Sequence, residues 1–246
     1  MLNELTLKNA RIVTSTEVVE GSVHIRGGVI ADIQSGQIVS ANAIDFEGDY
    51  LIPGLIDLHT DNVERHLRPR RDADWPVLAA LMAHDAEMTA VGITTIFDSL
   101  YVGERNIEPR NSAMLKPSIC ALKTGRQKQM FRGDHFLHLR AETSKEQMTE
   151  TFASVFPEPS VLIVSLMDHT PGQRQFSDPN RIGGRFGGGD DRDHTVPLEK
   201  MDQYLKTVLE RQERVAGPNR IKLLSLLEGH SITLASHDDT TVEHVE

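Results

Sequence analysis

The rhythm of the chain changes near residue 51, and that change constrains the fold more than any other feature. Before it lie short β-rich segments at residues 5–7, 10–13, 22–25 and 29–33. Turn signals at Glu20-Gly21, Gly27-Gly28 and Ser35-Gly36 separate them. Residues 1–50 therefore read as a small antiparallel β unit. After it, apolar strands at residues 51–58, 93–100, 135–139, 161–167 and 231–235 alternate with helical stretches at 75–90, 144–156 and 198–215. The middle helix carries an N-cap pattern, Thr143-Ser144 followed by Glu146-Gln147. Such alternation predicts parallel βαβ units for residues 51–246, in an α/β barrel or a doubly wound sheet. A full (β/α)8 barrel takes about 250 residues by itself. Only five strands are countable, and Glu243-His244-Val245-Glu246 reads as the start of another helix. The expectation is an incomplete barrel.

Composition excludes some functions. A net charge of −10 on 246 residues argues against a nucleic-acid binder working through an overall basic surface. No apolar run approaches the roughly 20 residues that span a bilayer, and Met1-Leu2-Asn3-Glu4 does not open a signal peptide. Cys120 is the single cysteine, which rules out an intrachain disulfide and points to a reducing cytoplasm. The 11 histidines are many for this length, and several lie at the ends of apolar runs.

Those run ends carry the chemistry. His59 and Asp61 follow the first apolar strand, and residues i and i+2 of a strand share a face. His138-Leu139-Arg140-Ala141-Glu142 ends the third strand, Asp168-His169 the fourth, and Ser236-His237-Asp238-Asp239 the fifth. In parallel α/β barrels the C-terminal strand ends form the active site. One histidine there is an ordinary structural residue; four strand ends bearing His, Asp or Glu predict a metal site. Nitrogen plus carboxylate donors suit zinc, manganese or iron better than calcium.

Phosphate is the second theme. Arg65, His66, Arg68, Arg70 and Arg71 follow the His-x-Asp turn, while Arg140 and Arg174 accompany other strand ends. For Arg140 and Arg174 a basic pocket for a polyanionic substrate is the favoured reading. For residues 65–71 a pocket and solvated ion pairs weigh equally. The glycine-rich stretch at residues 182–191 could cradle phosphate, but no Lys-Ser/Thr of a P-loop follows it, which favours a plain connection.

Several segments together carry a resemblance. They are Leu51-Ile52-Pro53-Gly54-Leu55-Ile56-Asp57-Leu58-His59, His59-Thr60-Asp61-Asn62-Val63-Glu64, Ala83-His84-Asp85, Gly92-Ile93-Thr94-Thr95, His138-Leu139-Arg140-Ala141-Glu142, the string at 165–176 and Ser236-His237-Asp238-Asp239-Thr240-Thr241. The first is the entry pattern of the amidohydrolase superfamily. Together they resemble the phosphonate-metabolism amidohydrolases of the C–P lyase pathway along essentially the whole chain. The resemblance implies an amidohydrolase-type (β/α)8 barrel, here incomplete, with a small N-terminal β-sandwich unit. It also implies a metal-dependent diphosphatase. Water is added across the triphosphate of α-D-ribose 1-methylphosphonate 5-triphosphate, leaving the 5-phosphate and diphosphate. By the same resemblance His59, Asp61, Glu142, His169 and His237 match the metal ligands, with Glu142 suited to bridge two ions. Arg140, Arg174, Arg65 and Asp239 are the substrate-binding expectations. One or two divalent ions are implied, zinc foremost, with manganese or iron as alternatives.

Two departures accompany the resemblance. Superfamily members commonly use His-x-His, whereas Asp61 holds the second position here, as in the narrower family. The late Ser-Asp strand end, whose Asp is the usual general acid or base, has no counterpart in the 246 residues. The isolated chain is therefore expected to turn over slowly or not at all. An alternative is a non-catalytic subunit docking on a homologue, as a homo-oligomer, or on C–P lyase pathway proteins. Another is an amidohydrolase acting on C–N bonds, against which the arginines argue. No nucleic-acid or membrane partner is expected.

Overall fold

The computed structural model describes residues 4–39, 42–70, 73–103, 110–172, 174 and 198–242. The chain divides into two compact units, Met1–Leu55 and Ile56–Glu246.

The first unit is a mixed sheet, where the turn pattern predicts an antiparallel one. Strands β1 (Glu4–Val13), β2 (Val18–Arg26) and β3 (Val29–Ser35) pair antiparallel in sequence order. Strands β4 (Ile44–Asp45) and β5 (Tyr50–Leu51) then both pair with β1 in parallel. The two segments expected at 5–7 and 10–13 are one strand, interrupted by a register shift between Leu7 and Ala10. Asn9, with φ 54°, supplies the irregularity, since Asn tolerates the left-handed region better than most residues. Gly21 is no turn. It sits inside β2, where an added Cβ would lie 1.9 Å from the Gln34 carbonyl oxygen of β3, so only glycine allows this approach. The buried core of the unit is thin, with Ala10, Ile12 and Val23 at its centre.

The second unit is built on a five-stranded sheet in the order β10-β9-β8-β7-β6. Its strands are β6 (Leu55–Thr60), β7 (Ile93–Val102), β8 (Asp134–Glu142), β9 (Val161–Met167) and β10 (Thr233–Ser236). The ladders β7–β8, β8–β9 and β9–β10 are parallel, with helices in the crossovers. This is the sequential, parallel order of part of a (β/α) barrel. The run expected as one strand at 51–58 is split, because Pro53 offers no backbone donor and Leu51 pairs in the other sheet. Strand β6 is also far from buried. It is the edge of its sheet, and Leu55, Ile56 and Leu58 are about half exposed.

The helices are α1 (Asn62–Leu67), α2 (Val77–Ala90), α3 (Arg110–Gln127), α4 (Met148–Ala153) and α5 (Leu198–Leu227). Helix α2 starts after Pro76 instead of at Trp75, and α5 continues through Gly217-Pro218 to Leu227. Helix α4 is a single short element, and the N-cap pattern before it does not cap it. The Ser144 hydroxyl donates to Glu142 Oε1 at 2.7 Å and the Thr143 hydroxyl to the Met167 carbonyl at 2.8 Å, so both side chains serve the strand ends. The core lies between sheet and helices, around Leu81, Leu100, Leu137, Leu139, Met148, Phe152, Val164 and Leu223. Each such side chain contributes about 1.5–3 kcal/mol through burial.

Two polar clamps fix the strands that bear the site. Asp85 on α2 accepts the backbone N–H groups of Arg132 (2.9 Å) and Gly133 (2.9 Å), just ahead of β8. Helix α5 holds the far ends. Asn219 donates to the Thr143 and Lys145 carbonyls (2.9 and 2.8 Å), Arg211 to the Ser144 carbonyl (3.0 Å), and Gln212 to Asp168 Oδ2 (2.9 Å). Among the described residues no helix is long and apolar enough to cross a membrane.

Candidate metal centre

Parallel pairing sends the C-terminal ends of β8, β9 and β10 to one edge of the sheet, and four imidazoles, His59 of β6 among them, gather there. The His59 ring lies 4.8 Å from His138 and 5.0 Å from His237, and His237 lies 5.3 Å from His169, centroid to centroid. His59 and His138 stand on strands, whereas His169 and His237 are the first or second residues beyond them. Nε2 of His169 and Nε2 of His237 both approach Asp238 Oδ2, at 3.1 and 3.2 Å. These three residues form a group whose donor atoms lie within 4.8 Å of one another. Asp238 turns its carboxylate inward from a left-handed backbone, φ 57°.

Glu142 occupies the buried floor and is 1% exposed. Oε2 contacts His169 Nδ1 at 2.6 Å, while Oε1 accepts the His169 backbone N–H at 3.0 Å. Burial pushes the Glu142 carboxyl upward, but hydrogen bonds from His169 and Ser144 outweigh it and hold the group down at about 2. A carboxylate receiving Nδ1–H leaves Nε2 as the ligating atom, the arrangement by which metal-binding histidines are commonly oriented. The structure therefore sets Glu142 against His169.

His59, His138 and His237 are poised as neutral donors. Burial, with a counteracting hydrogen bond to the Leu58 carbonyl, lowers His138 to about 4. Burial, opposed by Asp238 and helped by Arg140, lowers His237 to about 4. Burial and the Arg140 charge also lower His59. His138 Nδ1 must donate to the Leu58 carbonyl at 2.9 Å, which leaves a lone pair on Nε2. That nitrogen is buried and has no hydrogen-bond partner among the described residues. An orphaned imidazole lone pair beside three more imidazoles and two carboxylates fits a divalent cation.

Asp61 stands apart from the strand pattern. It occupies the N-cap position of α1 with φ −89° and ψ 3°, so the alternation of a strand has ended before it. Its Oδ1 lies 3.9 Å from His59 Nε2 and accepts from Arg140 Nη1. Arg140 itself is 7% exposed, with Nε on Met167 Sδ at 3.4 Å. Arg174 donates from Nη1 to the His237 carbonyl (2.6 Å) and to Asp239 Oδ1 (2.8 Å), bracing the loop after β10. Ser236 donates to Asp239 Oδ2. The structure brings together His59, Asp61, Arg140, Glu142, His169, Arg174, His237 and Asp239. It does not bring Arg65 among them: that side chain is exposed on α1 and pairs with Glu87 of α2 at 3.3 Å. Arg71 and the glycine-rich stretch at 182–191 lie outside the described residues. Two members, His138 and Asp238, are ones that sequence reasoning names only as neighbours of ligands. The signal for His138 was its place one alternation before Arg140 on the same strand.

No protein-family model matches the chain. Among curated proteins it is 35% identical over 241 residues to alpha-D-ribose 1-methylphosphonate 5-triphosphate diphosphatase of Escherichia coli strain K12, across 98% of this chain. The chain is similar to that diphosphatase. It spans 63% of the relative's length. Among solved structures, D-hydantoinase matches with TM-score 0.49 and 18% identity, covering 95% of this chain and 56% of that one. A 5-methylcytosine deaminase from Klebsiella pneumoniae matches with TM-score 0.49 and 14% identity, covering 94% and 65%.

Proposed function

We propose that this chain carries the metal-binding part of an amidohydrolase-type diphosphatase, acting on α-D-ribose 1-methylphosphonate 5-triphosphate and releasing diphosphate. The observation that carries this reading is 35% identity to the E. coli diphosphatase over 241 residues, 98% of the chain. His59, Asp61, His138, His169, His237 and Asp238 would hold one or two divalent ions, zinc foremost. When bound, such an ion supplies Lewis acidity toward a phosphoryl oxygen and lowers the pKa of water.

The chain's own groups have separate tasks. Glu142 orients His169 through Nδ1 and, held at about 2, stays charged at any working pH. His59 and His237 stay neutral near pH 7, so their nitrogens ligate without first losing a proton. Arg140 and Arg174 are the cations at the strand ends and would meet the polyphosphate, with Asp239 fixing Arg174. These cations favour a phosphate anhydride over the neutral amide of the C–N alternative.

The test is ³¹P NMR of the triphosphate incubated with Zn²⁺-loaded or Mn²⁺-loaded protein. Slow growth of diphosphate and 5-phosphate resonances, abolished by His169→Asn, is expected. Release of inorganic phosphate alone, or turnover indifferent to His169→Asn, would overturn the reading.

A further inference from the structure

A second set of imidazoles and carboxylate lies where α2 packs on β7 and β8. His84 comes from α2, Asp98 from β7 and His135 from β8. All three side chains are 0% exposed. One donor atom from each lies within 4.8 Å of the others. His84 Nε2 is 3.0 Å from Asp98 Oδ1, and His135 Nδ1 is 2.8 Å from Asp98 Oδ2.

The His84 contact has the distance of a hydrogen bond but not its direction. Both ring nitrogens of His84 and Oδ1 of Asp98 make no hydrogen bond among the described residues. Buried polar atoms without partners are rare and call for an explanation. His135 Nδ1 does hydrogen-bond Asp98 Oδ2, but at His84 lone pairs that converge on a point between N and O, instead of an N–H aimed at O, are what a cation requires. The other face of His135 completes the pattern. Nε2 lies 3.4 Å from Asp85 Oδ1, a carboxylate already pinned by Arg132 and Gly133. A ligating histidine whose second ring N–H goes to a carboxylate is the usual outer-shell arrangement of metal sites.

We propose that His84, Asp98 and His135 form a second, structural divalent-metal site that takes Zn²⁺. The donor set is two nitrogens and a carboxylate from three elements, which suits zinc. Donors about 2.0–2.1 Å from a tetrahedral ion sit about 3.3 Å from one another. The two measured contacts are already near that spacing, and the remaining pair must draw in by no more than about 1.5 Å. His135 and His84 outweigh the burial of Asp98 and keep its carboxyl below the usual range, so the site offers an anion at neutral pH. The ion ties α2 to the middle of β7 and the start of β8.

The probe is Zn²⁺ itself. Protein carrying His169→Asn and His237→Asn, stripped with chelator and reloaded, is expected to retain one Zn²⁺ per chain by mass spectrometry. Adding His84→Asn is expected to abolish it with an unchanged circular-dichroism spectrum. A folded double variant holding no zinc, or zinc indifferent to His84→Asn, overturns the proposal. Long-range ¹H–¹⁵N spectra of the histidine rings in unsubstituted protein need no variant to fold. Metal-shifted nitrogens on His84 and His135 support the site, and a doubly protonated His135 in the presence of Zn²⁺ sinks it. Because His169 and His237 of the strand-end site are removed before the count and the readout is the loss caused by His84→Asn, failure here leaves the diphosphatase reading untouched, and the reverse.

Discussion

The molecule holds two clusters made from the same side chains, and they differ mainly in water. At the strand ends, His169, His237 and Asp238 are between 15% and 25% exposed. Between α2 and the sheet, His84, Asp98 and His135 are fully buried. The exposed set sits where several chain segments leave the sheet and solvent reaches it. The buried set sits between packed elements and can only hold them together. Identical chemistry thus reads as reactive in one place and as structural in the other, because access to solvent and ligand decides which.

The largest expected contrast is in stability. Asp98→Ala strips the carboxylate from between two buried imidazoles and is expected to cost about 3–5 kcal/mol. Asp238→Ala removes the same group from a partly solvated cluster and is expected to cost about 1 kcal/mol or less. Urea denaturation of chelator-treated protein measures both, and equal losses would break the comparison.

The next contrast is in pH. His138 and His237 fall from an ordinary 6.5 to about 4 on folding, so the unfolded chain binds protons that the folded one refuses. Stability from this source is complete above pH 6.5 and drains as pH falls toward 4. Glu142 extends the loss from 4.5 down to about 2. His135 has the opposite sign. Burial lowers it, but Asp98 and then Asp85 raise it overall. Its contribution is complete below 6.5 and is lost as pH rises through its raised value. Thermal midpoints of metal-free protein from pH 3 to pH 9 should therefore fall at both ends. His138→Gln with His237→Gln should flatten the acid limb, and His135→Gln the alkaline one.

The smallest effect tests a residue outside both clusters. Arg65→Ala breaks an exposed pair with Glu87 and is expected to change stability by about 0.5 kcal/mol or less. Unchanged affinity for the triphosphate would sharpen the boundary of the strand-end site; a large loss would redraw it to include α1.

Local patterns were legible where one residue type repeats. The strand at 161–167 agrees residue for residue with β9, since a run of β-branched and aliphatic residues between polar turns leaves little choice. Helix α3 escaped notice because Pro117 and several charges blur its apolar face. Thr143 and Ser144 misled for a different reason. Their hydroxyls can cap a helix or serve a distant carboxylate and carbonyl, and the winner depends on partners brought close only by folding. The strand ends bearing the donors were readable, since apolar runs ending in His, Asp or Glu are local facts. The buried cluster was not, because His84, Asp98 and His135 meet through tertiary packing and no spacing announces it.

The clamp at Asp85 reaches further than its position implies. By gripping Arg132 and Gly133 it sets where β8 begins, and Glu142 is the last residue of that strand. A strand displaced by one residue turns every side chain to the opposite face. Asp85 therefore works as a register pin for a carboxylate at the other end of the same ladder. A survey of variants restricted to the donor cluster would pass over it, although a slip there would point Glu142 away from His169.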